Sequence, residues 1–154
     1  MKKLFYLLLL LPFSLLASCD KDDMQPFDMT VTLSGVTQAN GNFYAISGND
    51  ITVENLTVTP LGDKATTVAN VLFYVNTYPL FPDPWDAVAP LTFSTQNLPE
   101  GANTINVAGN LLQVGQPINT FAANFNLIVV PSAEDLPAGA PELGTYSQTI
   151  TFSK

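Results

Sequence analysis

Between Phe121 and Val130 the chain reads FAANFNLIVV, and Phe121, Ala123, Phe125, Leu127 and Val129 occupy every second position. That two-residue period belongs to a β-strand with one face in a core and the other in water. The same alternation recurs along the chain. Asp28–Val36 (DMTVTLSGV) sets Val31 and Leu33 against Thr30, Thr32 and Ser34. Ile51–Val58 (ITVENLTV) places Ile51 and Val53 on one face, and Leu56 and Val58 change phase across Glu54-Asn55, the signature of a bulge. Thr67–Asn76 is apolar on both faces from Val71 to Val75 and therefore reads as a central strand. Pro90–Thr95, Thr104–Ala108 and Thr145–Phe152 supply further strand candidates.

Runs rich in Gly, Pro, Asn and Asp separate these segments: GNFY at 41–44, PLGDK at 60–64, LPEGAN at 98–103 and PSAEDLPAGAPELG at 131–144. Beyond the N-terminal apolar run no long amphipathic helical pattern occurs. Seven or eight short strands with turn signals between them predict an all-β antiparallel sandwich of two sheets, with a small barrel as the architectural alternative. The expected core contains Phe73, Val75, Ile105, Phe125, Leu127 and Val129.

The N-terminus is built differently. Met1-Lys2-Lys3 is followed by fourteen mostly apolar residues, Leu4 to Ala17, and then by acidic Asp20-Lys21-Asp22-Asp23. A basic start and a short apolar run form the pattern of an export signal. The run is shorter than the 18 or more residues that read as a membrane-spanning helix. LLASC, residues 15–19, resembles the lipobox of bacterial lipoproteins, with Leu16 three positions before the cysteine and small Ala17 and Ser18 between. The resemblance implies cleavage after residue 18 and attachment of a diacylglycerol to Cys19. Cysteine suits that chemistry because its thiolate is a strong nucleophile. Lys21, Asp22 and Asp23 resemble the lysine-plus-acids signal that sends lipoproteins of the Bacteroidota to the outer face of the outer membrane; a periplasm-facing lipoprotein is the alternative. The expected organisation is a signal peptide at 1–18, an acidic tether at 19–27 and one sandwich domain at 28–154.

Removal of the signal leaves 136 residues with three lysines, no arginine, no histidine and thirteen acids, a formal charge of −10. Three scattered lysines build no positive groove, so nucleic acid is not an expected partner. With Cys19 acylated no thiol remains, which leaves neither histidine triads nor thiol nucleophiles nor ordinary zinc sites to expect. Most carboxylates outside the tether sit beside Gly, Pro or Asn, where acids support turns. No enzyme activity and no cofactor is expected, and the core must hold by packing without disulfides.

NVLFYVN at 70–76, APLTFST at 89–95 and LPEGANTINV at 98–107 resemble the core of bacterial immunoglobulin-like domains. Gly101-Ala102-Asn103-Thr104-Ile105 follows that pattern with Asn103 where histidine is common. Asn76-Thr77 replaces the family's tight Asp-Gly or Asn-Gly turn, and an insertion follows it. The resemblance implies an immunoglobulin-like sandwich and is nearly silent on function.

That insertion, YPLFPDPWDAVAP at 78–90, holds the single tryptophan of the chain, Trp85, with Tyr78, Phe81, Asp83 and Asp86 around it and four prolines. Prolines reduce the entropy lost when a loop is held in one shape. Aromatic rings on such a loop either plug the end of a sandwich or grip a sugar or protein surface. Asp83 and Asp86 alone fall short of the six or more oxygens calcium takes, so no metal is expected. The expectation is a non-catalytic binding or accessory module, anchored to the outer membrane through lipid, with a glycan or surface protein as partner; a structural or assembly subunit is the alternative. Replacement Cys19→Ser should abolish fatty-acid labelling. An intact mass without added lipid on wild-type Cys19 would refute the lipobox reading.

Overall fold

The computed structural model describes residues 24–79 and 90–153. It is all-β, and nine strands are formed among these residues: β1 (Phe27–Ala39), β2 (Asn42–Ile46), β3 (Asp50–Pro60), β4 (Thr66–Val75), β5 (Tyr78–Pro79), β6 (Leu91–Ser94), β7 (Gly101–Gln113), β8 (Asn119–Val130) and β9 (Gly144–Phe152). Short 3₁₀ turns occupy Thr95–Asn97 and Ala133–Asp135. The strands form one curled sheet in the order β5-β4-β7-β8-β2-β1-β3-β6, with β9 on β1. Curling brings β9-β1-β3-β6 and β5-β4-β7-β8-β2 into two layers, a β-sandwich shaped as a half-barrel.

β1 belongs to both layers. Its residues 27–34 pair with β3 on one side and β9 on the other, and its end, Thr37–Ala39, pairs with β2. The crossing point is Gly35, whose φ of 81° lies in the left-handed region. A Cβ there would strike the carbonyl oxygen of Asp50, so only glycine fits. Asn40-Gly41 then turns β1 into β2 with φ of 50° and 76°, the conformation short hairpin turns require. β2 was not expected, because GNFY at 41–44 reads as a separator. It runs parallel to β8, and this is a parallel contact in a sheet expected to be antiparallel throughout.

Bulges keep the apolar residues inside. Thr32 pairs with Asn55 and Leu33 with Val53, so Glu54 is the extra residue, as the phase change predicted. Ile51, Val53 and Leu56 are all buried as a result. Ser34 Oγ donates a hydrogen bond to the Glu54 carboxylate, so the displaced acid has a partner. A second bulge lies in β4: Ala69 pairs with Asn110 and Leu72 with Ala108, which sets Asn70 and Val71 against Gly109. Val71, Phe73 and Val75 then face the core, whereas Leu72 is 39% exposed. The expectation of a central strand fails here. Among the described residues β4 has β7 along one side and two-residue β5 on the other, and Leu72 on its second apolar face meets solvent.

The core matches the expected set, with Phe73, Val75, Ile105, Phe125, Leu127 and Val129 all buried. It also takes Phe27, which the tether boundary at 27 had placed outside the domain. Phe27 is fully buried and stacks on Phe152 at 4.6 Å, and Phe152 meets Phe121 edge-on at 6.4 Å. These rings tie the ends of β1 and β9 to β8. On the outer face of the first layer, Thr30–Thr149, Thr32–Ser147 and Thr52–Thr92 share cross-strand hydroxyl hydrogen bonds. Truncation Phe125→Ala or Phe73→Ala should destabilise the domain by about 3–5 kcal/mol. Denaturant unfolding checks this, and a loss below about 1 kcal/mol at both would contradict the packing.

Candidate functional site

The register of β1 gives the sandwich two distinct ends. Phe27 lies opposite Pro60 and Phe152, and Ser34 opposite Thr52 and Thr145, about 23 Å further along at the usual rise per residue. The N-terminal segment 24–26 joins the first end, beside the β3–β4 and β7–β8 connections. The far end carries the start of β7, the end of β4 and the stretch 131–143.

The insertion at 78–90 begins at that far end. Tyr78 pairs with Val75 in β5, and the chain returns at Pro90 to enter β6, whose Leu91 lies opposite Val53. β5 and β6 are the two terminal strands of the curled sheet, so residues 80–89 connect its free edges. Phe81, Asp83, Trp85 and Asp86 lie outside the described residues, as do Cys19, Lys21, Asp22 and Asp23. Of the candidate ligand-binding residues, Tyr78 alone is placed, through its main-chain pairing in β5.

The stem of the insertion is held by three asparagines. Asn76 has a φ of 55° and uses every polar group it owns. Its N–H donates to the Thr104 carbonyl at 2.7 Å, and its Oδ1 accepts from the Thr104 N–H at 2.9 Å. Its Nδ2 donates to Asn103 Oδ1 at 2.8 Å, and its carbonyl accepts from Asn106 Nδ2 at 2.9 Å. Asn103 is 2% exposed and donates onward to the carbonyls of Pro99 and Gly101. Asn76, which heads the Asn76-Thr77 turn, and Asn103 are thus halves of one hydrogen-bonded pair. Sequence reading placed both residues in the motif and missed their contact. The signal was available: one neutral amide heads the turn and a second stands where histidine is common, and buried amides need partners.

Charge is also divided. β2, β4, β5, β7 and β8 contain no charged residue, whereas β1 and β3 carry Asp28, Asp50 and Glu54. Across the outer face of the neutral layer, Tyr74, Asn106 and Asn124 share one register row, and Leu72, Ala108 and Ala122 the next. Amides and a phenol cost less to desolvate than carboxylates and can both donate and accept. Such a face suits contact with neutral polar material. Among the described residues, no three of His, Cys, Asp and Glu come together as metal ligands.

No protein-family model, curated protein or solved structure matches this chain. Replacement Asn103→Ala should strip Asn76 Nδ2 and the Pro99 carbonyl of their partner and cost about 1–3 kcal/mol. It should also speed thermolysin cleavage between Tyr78 and Pro90. Unchanged stability and cleavage would mean that the amide cluster does not hold the stem.

Proposed function

We propose that this chain is a non-catalytic binding or accessory module, anchored through lipid at Cys19 to the bacterial outer membrane and facing the cell exterior. Its ligand, a glycan or a surface protein, is taken by the insertion 78–90, with Trp85 as the principal contact and Tyr78, Phe81, Asp83 and Asp86 around it. One observation carries the reading. The insertion starts at the end of the sandwich opposite the N-terminal segment, from a stem fastened by Asn76, Asn103 and Asn106. A tethered domain that binds outward needs its contact loop remote from its anchor and its stem fixed, because a fixed stem lowers the ordering cost on binding. The resemblance of 70–107 to immunoglobulin-like domains agrees with a scaffold whose loops carry the function.

A second reading, as an assembly subunit, draws on β9. Among the described residues this nine-residue edge strand, GTYSQTITF, pairs only with β1, and it contains neither charge nor proline, the usual protections of an exposed edge. A partner strand added there would give an ordered polymer or a heterocomplex. Sedimentation tests the self-assembling form of this reading, since a monomer at all concentrations removes the polymer and leaves only a heterocomplex.

Trp85 is the single tryptophan of the chain, so its emission reports on the insertion alone. Acrylamide and iodide should quench it, and a cell-surface polysaccharide that binds should shift it. Replacement Trp85→Ala should then eliminate binding and leave the melting temperature unchanged. Blue-shifted emission that quenchers do not reach, or unfolding on replacement, would make the residue a plug and defeat the proposal.

A further inference from the structure

We infer that the end of the sandwich where the N-terminal segment arrives rests on the lipid surface, with Leu61, Val114 and Ile118 as its contact. The inference builds on the lipid-anchor reading of Cys19 and adds an orientation to it.

The place where the tether leaves the domain is firmly set. The Gln25 N–H donates to Gln113 Oε1 at 2.9 Å, and Gln113 Nε2 donates back to the Gln25 carbonyl at 3.0 Å. Gln113 is 4% exposed and also donates to Thr66 Oγ1, so the clasp is part of the interior. The Pro26 carbonyl accepts from the Leu61 N–H at 2.9 Å, and Gln25 Oε1 accepts from the Lys64 N–H at 3.2 Å. Gln25 and Pro26 are therefore fixed at this end of the fold. Five residue steps separate Met24 from Cys19, and at full extension they reach about 17 Å. A lipid on Cys19 holds this end of the domain close to the bilayer.

The same end is where apolar side chains stand in water. Val114 is 70% exposed, Ile118 67% and Leu61 51%, the three most exposed large apolar residues of the described chain. Val114 and Ile118 lie on the β7–β8 connection and Leu61 on the β3–β4 connection. The Val114 N–H donates to the Ala65 carbonyl, which joins the two connections. Two connections remote in sequence would not be expected to expose aliphatic side chains at one end without something to cover them.

Charge favours the same orientation. On the two connections Asp63 and Lys64 offset each other, and Asp28 lies on the outer face of β1, where it accepts from Thr151 Oγ1. The opposite end carries Asp50, Glu100, Glu134, Asp135 and Glu142 with no described cation among them. Asp20, Asp22, Asp23 and Lys21 of the tether follow Cys19 to the bilayer whichever way the domain turns, so the choice rests on the domain's own ends. Turning the acidic end to solvent and the near-neutral apolar end to lipid carries the smaller desolvation cost and the smaller added repulsion from anionic headgroups. Side chains at interfacial depth add to the lipid's hold by the apolar area they bury.

The test uses two reporters in a Trp85→Phe background: Ile118→Trp at the proposed contact and Leu143→Trp at the opposite end. Each full chain is made in a Gram-negative host, its Cys19 mass is measured, and it is reconstituted into phosphatidylcholine vesicles with and without brominated acyl chains. Bromine should quench the position-118 reporter at least threefold more than the position-143 reporter. Lipid on Cys19 with equal quenching at both positions would overturn the docking and leave the anchor standing. A position-118 reporter shielded from acrylamide yet untouched by bromine would show a protein in that place, which also overturns it. Should Cys19 carry no lipid, the anchor reading fails, and coupling its thiol to a maleimide lipid in the same vesicles still tests the contact by the same contrast.

Discussion

The fold depends on one strand serving two layers. β1 hydrogen-bonds to β3, β9 and β2, and Phe27, Met29, Val31, Leu33 and Val36 along it are all fully buried. In a chain whose one cysteine lies at position 19, no disulfide can brace the sandwich. Burial of apolar side chains, at roughly 25 cal/mol per Å² removed from water, has to offset the entropy of ordering the strands. A strand shared by both layers makes that burial cooperative, because neither layer can close its inner face without β1 in place. Gly35 is the local condition for the arrangement, since a side chain there would meet the Asp50 carbonyl and prevent the crossing.

The hairpins and connections are sorted by this frame into two chemically different ends. At one, the Gln25–Gln113 clasp holds the N-terminal segment among exposed aliphatic loops. At the other, the asparagine cluster holds the stem of the aromatic insertion among acidic connections. Both clasps use neutral amides that satisfy backbone groups, which fixes a loop without placing a charge inside. Under the proposed anchoring, that polarity would turn one end to the bilayer and leave the other for a ligand.

Local alternation was read accurately where one face is buried and the other wet. Phe121, Ala123, Phe125, Leu127 and Val129 point inward together, and the phase change at Glu54-Asn55 is a bulge. Two of the three differences arise from pairing between remote residues, and one from a turn. β4 looked central because both its faces are apolar, yet periodicity records faces and carries no information about which strands stand alongside. β2 was missed because its five residues follow an Asn-Gly turn and look like the turn's continuation, though Asn-Gly is itself a strong hairpin signal. Phe27 fell on the tether side of the boundary because its pairing partners, Pro60 and Phe152, are remote in sequence. Asn76 and Asn103 were visible singly, and their contact was not.

By itself, then, the sequence determined the class of fold, the inward residues of most strands and the neutral character of the segments that became β4, β7 and β8. Those properties follow from side-chain chemistry at a two-residue period, which is local. Only the tertiary structure decided that residues 24–26, 61–65 and 114–118 share one end, and that the insertion departs from the other. That division arises from pairings between residues as far apart as Phe27 and Phe152, set by how the whole sheet curls to close its core.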